Sequence, residues 1–317
     1  MISNELLNLI DSYRDIEKSK ALLSNSKEDT AENKRKIFEI SFKLKGLASQ
    51  IKKQISDEIF GTYVKGILFK TAYGDLVAHV CDIEISRSLG FDGEYGNFQI
   101  NFLKKIISNE DTIYIIGAHV GTFTIPISRH CKAIYAFEPN PETFEFLRIN
   151  VLLNNLKNTT IFNVGTYYKE DKIAFLQSVA NSGGSKIMPH KRSYMYDYDK
   201  PRVINIDVTR LDEFIEKEKL VLPDILILDI EGSEFATLKG AKRSLENCKY
   251  LYMEFISNHF QNVANVTINA LLNELLSYFT KVQIVGNDNV FSGQKFRDLI
   301  FTIFVKEISC DLLFSKG

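Results

Sequence analysis

Over most of this chain, short apolar runs alternate with stretches in which apolar residues recur at three- and four-residue spacings. The short runs read as strands buried on both faces, and the periodic stretches read as helices. The pattern centres on Asp111–Pro141. There an apolar run, Ile113–Ile116, meets a turn of small residues from Gly117 to Gly121. A helix-like apolar segment and a second run, Ala133–Phe137, follow, and that run stops at Glu138. This is the pattern of a βαβ unit. Pro141 then opens a helix to about Asn155, since proline suits the first helical turn, and Thr159–Val164 is a third strand.

Lys172–Val179 and Arg202–Val208 read as paired strands flanking a polar loop, with a short helix over Thr209–Lys217. Asp224–Asp229 is a fourth core strand, followed by a helix to about Glu246; Tyr250–Phe255 is a fifth, followed by a helix over Asn265–Phe279. The last runs, Val282–Val285 and Leu299–Val305, are joined by a polar link with no helix, so they are expected to pair antiparallel. Upstream, Ile67–Lys70 and Leu76–Val80 are short strands, Gly90–Gly96 is a loop, and Asn97–Ile107 is a helix leading into the first core strand.

Residues 1–70 follow a different rule. They contain no proline, and their first glycine is Gly46. Asn4–Leu23 reads as one helix. A polar break follows, with Asp29 or Thr30 as a cap. A second helix then carries a seam of Ile37, Ile40, Leu44, Leu47 and Ile51. This segment is either a helical hairpin packed on its own chain or an arm for dimerisation or for docking a partner. The expected division is therefore 1–70 as a helical extension and 71–317 as the main α/β domain.

Composition narrows the function classes. The 317 residues carry a formal charge of −1, so no global field draws the chain to nucleic acid or an anionic membrane. There is no tryptophan and no basic stripe. Four widely separated cysteines, Cys81, Cys131, Cys248 and Cys310, read as reduced thiols and not as a zinc site. No leader pattern or membrane-spanning run is visible, and a cytoplasmic location is expected.

The chemistry-bearing residues gather at strand ends. Gly117 and Gly121 allow close backbone approach in the first turn. Glu138, 21 residues after Gly117, ends the second strand, where a carboxylate can accept from both ribose hydroxyls. That implies a nucleoside site. The first turn, Gly-Ala-His-Val-Gly, lacks the middle glycine of a dinucleotide fingerprint. That and the reversed ending argue against a dinucleotide-dependent oxidoreductase. A non-catalytic scaffold with a partner-binding arm is the other competing class.

Four blocks in order carry a resemblance: IIGAHVGTFT, FEPNPETFEFLRINVLLNN, INIDVTRLDEF and DILILDIEGSEFATLKGA. Together they resemble the FkbM family of methyltransferases from about Gly74 to Glu254. Ile115 and His119 stand where that family usually has Asp and Asn. The resemblance implies an α/β, Rossmann-like class I methyltransferase fold. That fold is a seven-stranded, mostly parallel sheet ending in an antiparallel hairpin, here preceded by the N-terminal helical extension.

It also implies S-adenosylmethionine as cofactor and a hydroxyl acceptor. A sugar, nucleotide-linked or in a surface polysaccharide, is favoured over a non-sugar secondary metabolite. Gly117, Ala118, His119 and Gly121 would then floor the methionine moiety, with Thr122 and Thr124 donating to its carboxylate. Glu138 would hold the ribose, Pro139 and Asn140 would shape the turn, and Asn163 and Val164 would contact adenine. Asp229 would face the cofactor ammonium or the acceptor. Asp229, Glu231, Glu254 and His259 are the candidates for activating the hydroxyl, by general-base action or by holding Mg²⁺ or Mn²⁺. Glu94 and Tyr95 are placed to line the mouth. Tyr194, Tyr196 and Tyr198 form either a lid or a solvated loop. Glu234 and Asp212 are read as helix-start acids. The expected partners are a small-molecule or glycosyl acceptor and a second copy of the chain through the N-terminal helices, with no nucleic acid.

Overall fold

The computed structural model describes residues 3–25 and 30–316. Helices α1 (Asn4–Ser24) and α2 (Ala31–Phe60) form the N-terminal hairpin. The Thr30 hydroxyl caps α2 by accepting from Asn33 N–H, while Asp29 lies outside the described residues. The hairpin lies against the body of the chain. Ser49 donates to the Cys81 carbonyl at 2.8 Å, Lys52 to the Asp82 carbonyl at 2.5 Å, and Lys45 pairs with Glu84 at 2.6 Å. Gly46 passes the Tyr198 carbonyl so closely that a Cβ there would overlap it.

A small antiparallel pair, β1 (Gly66–Thr71) and β2 (Gly74–His79), comes next, then α3 (Ile85–Phe91) and α4 (Asn97–Ile106). The core βαβ unit is β3 (Thr112–Ile116), a single-turn α5 (Thr124–Ile127) and β4 (Ala133–Phe137). Every residue of β3 is buried, as its unbroken apolar run requires. Then follow α6 (Pro141–Leu153) and β5 (Thr159–Phe162).

An inserted four-stranded sheet, β6 (Gly165–Thr166), β7 (Asp171–Gln177), β8 (Lys186–Ile187) and β9 (Arg202–Thr209), is ordered β6-β9-β7-β8, with α7 (Tyr194–Asp197) between its last two strands. The chain continues through α8 (Leu211–Lys217), β10 (Ile225–Leu228), α9 (Glu234–Lys239), α10 (Lys242–Asn247), β11 (Tyr250–Ile256), α11 (Ser257–Asn262) and α12 (Ile268–Leu276). It closes with β12 (Lys281–Ile284), β13 (Val290–Ser292), α13 (Gln294–Val305) and β14 (Ser309–Ser315).

The main sheet has the order β13-β12-β14-β11-β10-β3-β4-β5. Its centre and one flank, β11-β10-β3-β4-β5, are parallel, and β14 runs antiparallel between β11 and β12. The chain is thus a mixed α/β protein built on a large, parallel-rich sheet.

The ending differs from expectation. The sheet has eight strands where seven were expected, because the short β13 adds to the edge of β12. Leu299–Val305 is not a strand but the end of α13. Phe296, Ile300, Ile303 and Phe304 are buried along it, and that spacing places them on one helical face. The final strand is the following segment, where Leu312 and Phe314 are fully buried. The helix expected to reach Glu246 is broken into α9 and α10 at Gly240–Ala241, where Ala241 leaves the helical region with φ −126° and ψ 31°; a Cβ at Gly240 would overlap the Tyr167 carbonyl.

One buried side chain joins three of these parts. Asn150 on α6 accepts from Val77 N–H at 2.6 Å and donates to the Val77 carbonyl at 2.9 Å and the Val120 carbonyl at 2.7 Å. It thereby fixes the β1–β2 pair and the turn after β3 to the same helix. Asn150→Ala leaves buried backbone groups unpaired, and the expected loss is about 2–4 kcal/mol of unfolding free energy. Urea denaturation monitored by circular dichroism measures it.

Candidate functional site

The site forms where the ends of β3 and β4 meet. Gly117 and Ala118 both donate N–H to the Phe137 carbonyl, at 3.0 and 2.9 Å. His119 donates its N–H to Glu138 Oε2 at 2.9 Å, and Asn140 donates to Glu138 Oε1 at 2.9 Å. The Glu138 carboxylate therefore bridges the turn after β3 and the turn after β4. It is buried, and each oxygen keeps one lone pair for a ligand. Burial pushes its pKa up to about 7, against the two backbone hydrogen bonds that favour the charged form.

Gly117 has φ +87°, and a Cβ there would overlap the Asp229 carbonyl. Glycine is thus required by the close passage of the strand end after β10. Asp229 is the junction of two cavities. The first is lined by Gly117, His119, Glu138 and Pro139, then Gly165 and Thr166, and by Phe175, Ile187, Ile206 and Val208 of the inserted sheet. The second is lined by Asp92, Glu94, Tyr95, Phe123, Glu254 and Asp311. Asp229 lines both.

The second cavity concentrates negative charge. Burial, then repulsion from Glu231 and Asp311, pushes Asp229 up to about 8, and Glu254 is close enough to share its proton. Burial and the Asp229 charge hold Glu254 well above the usual carboxylate range, and Asp311 is raised by burial. Among the described residues no cluster of three or more His, Cys, Asp or Glu side chains is arranged to hold a metal ion.

Glu231 and His259 sit apart from these cavities. Glu231 Oε2 lies 3.1 Å from Lys186 Nζ and 3.1 Å from His259 Nδ1. Lys186 and His259 hold the Glu231 carboxyl below its ordinary pKa despite burial, while burial takes His259 down to about 4. An ionised, lysine-paired carboxylate is a poor proton acceptor. Neither residue lines the cavities that Asp229 joins.

Other expected contacts also move. Thr124 is fully buried in α5, and neither it nor Thr122 lines either cavity. Ala118 is buried, and Gly121 packs toward Leu147 and Ile125. Asn140 caps α6 by accepting from Glu142 N–H. Exposed Asn163 donates to the Glu138 and Pro139 carbonyls, and Val164 packs on the core. The chain turns after β5, so the next two residues, Gly165 and Thr166, reach the cavity in their place. Glu94 and Tyr95 do line the acidic cavity.

Tyr196 is buried beside Lys186, and the Tyr198 ring meets Phe42 at 5.1 Å, so these two are anchored and form neither lid nor solvated loop. Asp212 accepts from Arg243 and Ser244 at the start of α10, a structural role, and Glu234 accepts from Gly232 N–H beside its own helix start. The strands of the inserted sheet are legible as a pair flanking a polar loop, but their alternation does not show that their apolar face walls this cavity.

A methyltransferase FkbM domain matches residues 116–283. The chain belongs to this family. Hexuronic acid methyltransferase AglP of Haloferax volcanii is 25% identical over 156 residues, 49% of this chain and 60% of that protein. The 2-O-methyltransferase NoeI of Sinorhizobium fredii is 24% identical over 155 residues, 46% of this chain and 62% of that protein. The matches thus span less than two thirds of these relatives' lengths. Among solved structures, Trm5b from Pyrococcus abyssi aligns with a TM-score of 0.42 at 11% identity, over 86% of this chain and 68% of that one.

The residues present fit S-adenosylmethionine. Glu138 offers acceptor lone pairs for a ribose, the apolar wall of the inserted sheet suits a flat base, and the acids beyond Asp229 suit a sulfonium and an ammonium. Replacing Glu138 by Gln sets an NH₂ against a backbone N–H and removes the charge. S-adenosylhomocysteine should bind about tenfold more weakly or worse, as calorimetry would read.

The raised carboxyls also set a pH dependence. Asp229 titrates at about 8 and Glu138 and Glu234 at about 7 when folded, against about 4 in the unfolded chain. Between those limits the folded state holds more protons, so stability falls as pH rises. Glu142, held at about 2 chiefly by its contact with His79, acts in the opposite sense, and only below about pH 4.5. His119 and His259, held at about 4 by burial against about 6.5 unfolded, offset part of this decline between those values. The raised carboxyls outnumber them, so the ligand-free protein should show its highest thermal midpoint at about pH 4 and a decline to about pH 8.5. Asp229→Asn should flatten the upper part of that decline in calorimetric scans.

Proposed function

We propose that the protein is an S-adenosylmethionine-dependent O-methyltransferase whose acceptor is a sugar hydroxyl. The observation that carries the reading is the position of Asp229, at the boundary between a nucleoside-shaped cavity and an acid-lined one. The names of the relatives, a hexuronic acid methyltransferase and a 2-O-methyltransferase, support a sugar acceptor.

When bound, S-adenosylmethionine supplies a methyl group on a cationic sulfonium, open to in-line displacement. Glu138 and the turn from Gly117 to His119 would orient it through the ribose. The Asp229, Glu254 and Asp311 carboxyls, raised chiefly by burial, would ionise beside its positive charges, since an opposite charge favours the ionised form. Asp229, once ionised, would take the acceptor hydroxyl's proton as the oxygen forms its bond to the methyl carbon. Asp229 titrates near 8 in the ligand-free protein, and the cofactor's charges would bring it down toward neutral pH, where a general base works best. The Lys186–Glu231–His259 cluster would brace β8 against the loop after β10. In this reading residues 1–70 are a packing arm that supports the turn at Asp82.

Incubation with methyl-labelled S-adenosylmethionine and a panel of nucleotide sugars and uronic-acid glycosides tests the reading. Label is expected on a sugar oxygen. Label confined to a nitrogen or carbon atom, or to no sugar at all, would overturn it. Asp229→Asn should lower kcat by about 10²–10⁴-fold. It should also abolish a rise in kcat/KM toward pH 8, with acceptor KM little changed.

A further inference from the structure

The turn at His119 belongs to a chain of hydrogen bonds that reaches outside the family domain. Asp82, fully buried after β2, uses Oδ1 to accept N–H from Glu84, Ile85 and Ser86 at 3.0, 2.7 and 3.2 Å. Its Oδ2 accepts from Ser182 N–H at 2.7 Å and from the Ser182 hydroxyl at 2.6 Å. A carboxyl surrounded by four backbone donors acts as an acceptor, so the Ser182 hydroxyl proton is committed to Asp82. The same hydroxyl oxygen lies 2.8 Å from His119 Nε2. With its proton already given away, that oxygen can only accept, and His119 must carry its proton on Nε2. The other ring nitrogen, Nδ1, is then a bare lone pair. It is buried and has no partner among the described residues.

His119 and Ser182 both line the nucleoside cavity, and the His119 backbone N–H already donates to the ribose-side carboxylate of Glu138. A buried acceptor without a donor is destabilising, and the groups with spare donors at this place would be those of the bound nucleoside. We propose that Asp82 and Ser182 fix His119 as the Nε2–H tautomer so that Nδ1 accepts a hydrogen bond from one ribose hydroxyl of the cofactor, while the other donates to Glu138. Asp82 and Ser182 are positioning residues, and His119 is the contact. The inference rests on the cofactor reading above and deepens it. It also explains the loop at Ser182–Gly184, which closes one side of the cavity and sets the histidine in the same act.

The test is nitrogen NMR on the full-length protein with ¹⁵N-labelled histidine, free and saturated with S-adenosylhomocysteine. The free protein should show His119 protonated at Nε2 with an unbonded Nδ1, and ligand should shift Nδ1 toward its hydrogen-bonded value. Ser182→Ala should release the tautomer preference and weaken S-adenosylhomocysteine about threefold to tenfold by calorimetry. Ser182→Thr should restore both. His119→Phe should weaken the ligand about tenfold, and His119→Asn, which keeps an acceptor and tolerates the positive φ of 52°, should recover part of it.

Thermal scans on the free variants separate loss of fold from loss of contact. A variant that melts as wild type yet binds weakly supports the proposal. An Nδ1–H tautomer, or an Nδ1 signal unmoved at saturation, overturns it while leaving the cofactor reading intact. A wild-type protein that binds no S-adenosylhomocysteine overturns both.

Discussion

The site depends on how the end of β4 is tied to the turn after β3. The Phe137 carbonyl takes two successive N–H groups from that turn, and Glu138 takes a third. Parallel neighbouring strands bring these ends level, so the turn is held without ladder partners of its own. Glycine at 117 is then demanded by the Asp229 carbonyl crossing behind it. Three strand ends are thus locked in one place, and the nucleoside cavity is the space they leave.

The second feature is uncompensated charge. Asp229, Glu254 and Asp311 meet without a lysine or arginine ion pair among the described residues; burial raises all three, and repulsion adds to it at Asp229 and Glu254. Glu231, two residues from Asp229, has the opposite environment, with Lys186 beside it. Two nearby carboxyls are driven in opposite directions by their partners, and this assigns them different work. One can exchange a proton near neutral pH. The other is a fixed anion holding the inserted sheet to the loop after β10.

The inserted sheet and the segment before the family domain complete the enclosure. β7, β8 and β9 supply the apolar wall, and Ser182 reaches from the insertion to His119. Asp82 receives Ser182 from the other side, and Lys52 of α2 anchors on the Asp82 backbone. The N-terminal hairpin therefore touches the site through one intermediary turn, although none of its described residues lines the cavity beside Glu138.

Much of this was legible in order along the chain. The runs Ile113–Ile116 and Ala133–Phe137, the glycine turn and the acid at 138 specify a nucleoside-binding βαβ unit, because buried parallel strands must be apolar throughout and a tight turn must be small. The four-block pattern named the family. Periodicity could not separate a short apolar strand from a buried helix at Leu299–Val305, where packing on β14 decided. Local spacing also could not show which acids share a cavity. Asp229 and Glu231 are close in sequence, yet only the fold brings Lys186 to one and Glu254 to the other. The chain by itself determined which elements form and that the strand ends carry the chemistry. The tertiary structure alone decided which side chains share each cavity, since burial and partners are set by residues distant in sequence.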